Sequence, residues 1–180
     1  RSTRIKAENV EKIIHKIDTL SPIDVRRKRG KYWSNLGVSE IATELIRDLI
    51  RDGRLVLKRQ LDSLTYHDPC YLGRHNEVYD APREVLTSLA RPGAFRELAN
   101  NRSRSNCCGS GGGYAWMDDK APKRINHTRF EQVQGCGAGT AAVSCPFCMQ
   151  MFDDAGAALD PQHRVRTADI AELVAEALEG

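Results

Sequence analysis

Five of the six cysteines in this sequence are spaced regularly enough to suggest shared chemistry. Thirty-six residues separate Cys70 from the adjacent pair Cys107-Cys108, and thirty-six more separate that pair from Cys145, which opens Cys145-Pro146-Phe147-Cys148. The pattern C-x36-CC-x36-C-x2-C reads as one site drawn from three distant loops. Disulfides are the competing use of six cysteines in a secreted chain. Adjacent thiols are awkward for ordinary bridges, however, and a Cys-x-x-Cys beside a short apolar run, with no secretory signal, reads as metal or redox chemistry. One zinc ion takes four ligands, so five thiols overfill it, and zinc stays as the alternative. A [4Fe-4S] cluster uses at least four thiolates and can employ a fifth as a bridging ligand or redox-active spare.

The residues around the thiols narrow the choice. Gly109, Gly111, Gly112 and Gly113 follow the pair and let backbone N–H groups approach a negatively charged centre. The loop does not suit a nucleotide, because Gly109-Ser110-Gly111-Gly112-Gly113-Tyr114 lacks the third glycine of G-x-G-x-x-G and no Gly-Lys-Ser/Thr follows. A dithiol redox role for Cys145 and Cys148 alone would leave Cys70, Cys107 and Cys108 unexplained. His67, Asp68, His75 and Asp80 flank Cys70. A histidine at a strand end and an aspartate before proline commonly hold a turn by hydrogen bonds, and they are read so here rather than as ligands. Arg74 and Arg124 are the candidates for positive charge beside an anionic centre.

Elements must deliver these loops to one place. Val10, Ile13, Ile14 and Ile17 predict a helix over 7–17, followed by a basic connector containing Arg26-Arg27-Lys28-Arg29 and Lys31. Ser39 as N-cap, the stripe Ile41, Leu45, Ile46, Leu49 and Ile50, and Gly53 as stop predict a second helix. From Leu61 strands alternate with helices. Strands are expected at Leu64–His67, Phe95–Ala99 and Thr140–Ser144, the last of small residues suited to burial on both faces. Helices are expected at Pro82–Leu89, with Val85, Leu86 and Leu89 inward, and at 120–134, with Ile125, Phe130 and Val133 inward. Two more are expected at Pro146–Ala155 and Thr167–Leu178. This alternation predicts an α/β fold, a parallel sheet with helices on both faces and an N-terminal helical extension, divided as 1–60 and 61–180. In such sheets function gathers at the carboxyl ends of the strands, where Cys70, Cys107, Cys108, Cys145 and Cys148 all fall. Cys136 falls at the opposite, amino-terminal edge and is read as a small side chain in a turn, not a ligand.

The 180 residues are 41% hydrophobic and 28% charged, as in a globular domain with a proper core. A net charge of +3 is too small to argue for nucleic acid. No apolar run approaches the ~20 residues of a membrane helix.

His67-Asp68-Pro69-Cys70-Tyr71-Leu72-Gly73-Arg74, Cys107-Cys108-Gly109-Ser110-Gly111-Gly112 and Cys145-Pro146-Phe147-Cys148 together resemble the cysteine-rich CCG domain family, over residue 40 to the end. That family includes a cysteine-rich component of heterodisulfide reductase and related iron-sulfur oxidoreductases, some linked to glycerol-3-phosphate, lactate and fatty-acid oxidation. The resemblance implies a [4Fe-4S] cluster held by Cys70, Cys107, Cys108, Cys145 and Cys148, non-cubane in some members, cubane or replaced by zinc in others. It implies a component of an oxidoreductase that exchanges electrons with a ferredoxin-like domain, a flavoprotein or a haem-containing membrane part. Family members typically carry two such modules in tandem. With no cysteine in residues 1–38 and Arg1 at its start, the chain is expected to be the C-terminal part of a larger protein. The expected location is cytoplasmic, or at the membrane through the rest of that protein.

Overall fold

Leu64, Thr140 and Arg166 stand side by side at the starts of three parallel strands, and the sheet they belong to sets the position of every thiol. The computed structural model describes residues 37–111, 114, 117 and 121–178, with the side chains of 37–42 excluded. The helix expected over 7–17 and the basic run lie outside these residues.

Helix α1 is Gly37–Arg51, followed by strand β1 at Leu64–Tyr66 and helix α2 at Asp80–Leu89. Strand β2 is Phe95–Arg96, helix α3 is Ile125–Gly135 and strand β3 is Thr140–Val143. Helix α4 is Pro146–Leu159, strand β4 is Arg166–Asp169 and helix α5 is Ile170–Leu178. The four strands are all parallel, in the order β2-β1-β3-β4.

Helices cover both faces, because successive strand residues point to opposite sides. Ala142 joins Leu64 and Tyr66 in a core with Ile46 and Leu49 of α1, Val85, Leu86 and Leu89 of α2, and Leu173 and Val174 of α5. Its neighbours Ala141 and Val143 join the second core, with Phe130 and Val133 of α3 and Met151, Phe152 and Ala155 of α4. Ala141 and Ala142 are both fully buried, as small residues in a central parallel strand allow. Cys108, Cys145 and Cys148 belong to the second core, so the thiols sit at its upper rim.

Several elements differ from expectation. Helix α1 starts two residues before Ser39, so that residue is inside the helix rather than at its cap. It stops as expected at Gly53, whose φ of +66° suits a helix end. Strand β2 is two residues rather than five, and α4 runs four residues past Ala155 because Leu159 still packs on the second core. Helix α3 begins only at Ile125. Its buried face is Asn126, Arg129, Phe130 and Val133, and Ile125 lies one position off that face and is 38% exposed.

The stretch 167–169, expected to be helix, is strand β4. Its exposed Arg166 and half-buried Thr167 and Asp169 gave no alternation to read, as edge strands often do not. The helix begins at Ile170, and its start carries a reciprocal cap. Asp169 Oδ1 accepts the Ala171 N–H at 2.8 Å, and Glu172 Oε2 accepts the Asp169 N–H at 3.2 Å.

That cap is pH-sensitive. Burial, with the Glu172 charge beside it, raises the Asp169 carboxyl to about 6 against the capping N–H of Ala171. A carboxyl raised on folding favours the folded state most when protonated. Stability is therefore present below the unfolded value near 4 and lost as pH rises through 6. Asp169→Asn keeps a good N-cap without the charge. It is expected to raise Tm by roughly 4–8 °C at pH 7.5 and to change it little at pH 4, as thermal scans at both pH values would show.

Candidate metal centre

Three segments bring five sulfurs together. Cys70 follows β1 and opens a wide helical turn at Tyr71–His75, Cys107 and Cys108 end the loop after β2, and Cys145 and Cys148 stand at the junction of β3 and α4. Cys107 acts on Cys108, Cys108 on Cys148, and Cys148 on Cys145, each through its side chain. Cys70 feels the charges of Cys108 and Cys145. Cys70 is exposed, Cys107 half-buried, and Cys108, Cys145 and Cys148 buried.

These contacts leave the set short of positive charge. Hydrogen bonds from Cys107 and then Cys148 hold the Cys108 thiol far below the usual range, while the same bonds push Cys107 and Cys148 up. Cys145 is lowered to about 7, first by the Cys148 thiol and also by the backbone N–H groups of Cys148 and Phe147. Those N–H groups belong to the first turn of α4, whose dipole favours negative charge. Burial raises Cys70, and the charges of Cys108 and Cys145 add to it. The thiols thus ionise unequally, and a multivalent cationic partner would favour their full ionisation. The donor set, all sulfur in one place, fits iron-sulfur chemistry and soft-metal binding generally.

Gly109 and Gly111 take the part expected of the glycine loop at Cys107, and Gly112 and Gly113 lie outside the described residues. Gly109 N–H donates to Cys107 Sγ at 3.3 Å, and Gly109 has φ +98°. A Cβ there would also lie 3.1 Å from the Asn126 nitrogen, so position 109 combines a left-handed backbone with close packing on α3.

Asp68, read as a turn-holding residue, does more than hold its own turn. Arg83 Nη1 and Nη2 donate to its two carboxylate oxygens at 2.7 and 2.9 Å, and the Arg102 N–H donates to Oδ2 at 2.8 Å. Arg83 also grips Glu97 through Nη2 at 2.9 Å. Asp80 pairs with Arg102 at 2.8 Å, and His75 packs its ring on Tyr71. Arg74 donates to the carbonyls of Ser103 and Ser105, fastening the approach to Cys107 onto the Cys70 turn. Arg74 therefore lies near the thiols, as anticipated, and its charge lowers Cys70. Arg124 instead is exposed, on a small cleft lined also by Gly109, Met117 and Met151.

Two residues near the thiols were not anticipated in their present roles. His67 is 1% exposed, and a ligand atom of its ring lies within 4.8 Å of the Cys108 and Cys148 sulfurs. Arg129 is fully buried and donates from Nε to His67 Nδ1 at 3.0 Å, from Nη2 to Ser105 Oγ at 3.0 Å, and from Nη1 to Asn100 O and Gln132 Oε1. Burial pulls Arg129 down to about 10, so it stays charged at neutral pH beside Cys108 and Cys148. The position of Arg129 on the buried stripe 126, 129, 130, 133 is the sequence signal that could have found it. Cys136 caps the far end of α3, half-buried, before β3 begins, at the amino-terminal edge as expected.

The chain is similar to several characterised or named proteins. It is 39% identical over 140 residues to the probable iron-sulfur-binding oxidoreductase FadF of Bacillus subtilis, covering 77% of this chain and 20% of that protein. It is 37% identical over 176 residues to the EtfAB:quinone oxidoreductase of Syntrophomonas wolfei, 92% of this chain and 24% of the relative. It is 37% identical over 139 residues to a component of the dihydromethanophenazine:CoB–CoM heterodisulfide reductase of Methanosarcina barkeri, 76% of this chain and 33% of the relative. The chain thus spans between a fifth and a third of the length of these curated relatives. The family model of the CCG cysteine-rich domain matches residues 64–153, from the first residue of β1 into α4 and with all five converging thiols inside it, and the chain belongs to that family.

Proposed function

We propose that the chain is the iron-sulfur-binding electron-transfer module of an oxidoreductase, holding one [4Fe-4S] cluster through Cys70, Cys107, Cys108, Cys145 and Cys148. The observation that carries this reading is the convergence of those five sulfurs from three loops onto one rim of the sheet. When bound, such a cluster supplies one-electron redox chemistry. The chain's own residues hold and tune it. Helix α4 directs N–H groups at Cys145, Gly109 directs one at Cys107, and the charged Arg129 and Arg74 offset negative charge beside the thiols. Residues 61–180 form the cluster module in this reading, with 1–60 as a helical extension and connector.

Membership in redox assemblies supports the choice of partners. Relatives carry the names of a quinone oxidoreductase and a heterodisulfide reductase component, so the proposed partners are a ferredoxin-like domain, a flavoprotein or a haem-containing membrane protein. Among the described residues no helix is long and apolar enough to cross a membrane. A relative 42% identical over 137 residues is a probable membrane-anchored ferredoxin of Chromohalobacter salexigens. It supports a place at the membrane reached through other parts of a larger protein.

Anaerobic reconstitution followed by metal and sulfide analysis tests the reading. About four iron and four acid-labile sulfide per chain are expected. Stoichiometric zinc without sulfide would overturn it in favour of a zinc-stabilised interaction module, for which the approach of His67 to Cys108 and Cys148 is the favouring observation.

A further inference from the structure

We propose that His67 is a fixed hydrogen-bond donor to the Cys108 sulfur and not a metal ligand, with its tautomer set by Arg129. Nδ1 of His67 receives the Nε–H of Arg129 at 3.0 Å. A guanidinium has donors only, so Nδ1 presents its lone pair and carries no proton. The ring is therefore neutral and its proton is on Nε2. The lone pair of Nδ1 being used, Nε2 is the ring nitrogen left to face Cys108, and the His67 ring and the Cys108 sulfur lie within 4.8 Å of each other. The direction follows: Nε2–H donates and the sulfur accepts.

A histidine that binds metal shows the reverse polarity, since it donates its other N–H to a carboxylate or carbonyl. To offer the Nε2 lone pair, His67 would have to turn an Nδ1–H against the Arg129 N–H, two donors facing each other where both residues are almost wholly buried. Arg129 cannot swing aside without giving up its bonds to Asn100, Ser105 and Gln132 at 2.9, 3.0 and 2.6 Å. The ring also packs against Phe152, tilted at 47° with centroids 4.9 Å apart. Proximity of His67 to Cys108 and Cys148 is thus an outer contact, and its consequence is electronic. An N–H···S bond draws charge from the sulfur and favours the reduced state of whatever the sulfur binds.

The redox consequence rests on the iron-sulfur reading, but the tautomer does not, and the measurements separate the two. In the metal-free, reduced full chain, long-range ¹H–¹⁵N NMR is expected to show His67 with a bare Nδ1 and a protonated Nε2. A proton on Nδ1 would overturn the proposal whatever metal the chain takes. In the iron-loaded chain with ¹⁵N-labelled histidine, pulsed EPR should show only the weak coupling of a hydrogen-bonded nitrogen, and a strong coupling from direct iron–nitrogen bonding would overturn it.

Two variants complete the test. In His67→Gln, Oε1 can accept from Arg129 and Nε2–H can donate to Cys108, so iron content and midpoint potential should stay near those of the unaltered chain. His67→Leu should keep its iron and sulfide yet lower the reduction equilibrium constant about tenfold, about 59 mV for a one-electron couple, as expected when a hydrogen bond to a charged group is lost. An unshifted potential in His67→Leu, or loss of an iron in His67→Gln, would count against the donor role. Failure of the chain to take up iron at all would overturn the function above while the NMR result still decides the tautomer.

Discussion

Cys145→Ser is expected to abolish cluster loading after anaerobic reconstitution, and Cys136→Ser to leave iron content and visible spectrum unchanged. The two cysteines lie at opposite ends of β3, a strand of four residues that spans roughly 13 Å by itself. Cys145 stands where the first turn of α4 lowers its thiol to about 7, whereas Cys136 closes α3, its Sγ donating to Val133 O at 3.1 Å. Cys107→Ser and Cys108→Ser should each lose or convert the cluster too. Adjacent residues approach from different directions, and Cys108, not Cys107, groups with Cys148 and His67 within 4.8 Å among the described residues. Equal loss in Cys136→Ser and Cys145→Ser would refute the assignment of the ligands to one edge. A full spectrum in both pair variants would reduce the site to three thiols.

The second large effect is expected at Arg83. Arg83→Met removes two charged hydrogen bonds from Asp68, whose side chain is only 3% exposed, and leaves a buried carboxylate without its countercharge, though still bonded by the Arg102 N–H. Breaking one partner of a buried pair costs about 3–5 kcal/mol, against a total stability of about 5–15 kcal/mol for an ordinary domain. The same change removes the guanidinium from above the Tyr66 ring, 5.5 Å from its centroid, and the grip on Glu97. Urea unfolding of the metal-free chain should therefore show a much lower midpoint. Arg91→Met, which breaks the exposed pair with Asp62, should shift stability by less than about 1 kcal/mol. Similar midpoints for the two variants would mean that the Asp68 network does not hold the loops.

The positions of the thiols were legible because the chain alternates strands and helices, and each cysteine segment follows a strand whose apolar residues could be read. Leu64 and Tyr66 face one core and Ala141 and Val143 the other, within the parallel sheet that the alternation of strands and helices predicted. What escaped was polar burial. Arg129 and Asn126 occupy interior positions of α3, where a reading by hydrophobic period instead turned Ile125 inward. Such residues are buried because they have partners, and partners such as Met151 for Asn126 and His67 for Arg129, 25 and 62 positions away, leave no local mark. The same holds for Asp68 and Arg83, 15 residues apart. Strand β4 was hidden differently, since the apolar stripe of α5 could be extended backwards over it. The Asp169-Ile170-Ala171-Glu172 cap would have marked the boundary, and with it the fourth strand.

The unequal cover over the sulfurs determines traffic. Cys108, Cys145 and Cys148 are walled in by α3 and α4, and Cys70 is open to solvent with Cys107 half open beside it. On the proposed iron-sulfur reading, the Cys70 side is where iron and sulfide would enter during assembly and where peroxide or dioxygen would meet exposed thiolates. On that reading assembly and damage would share the side that is open among the described residues, and a partner that covered Cys70 against oxidants would cover it against repair as well.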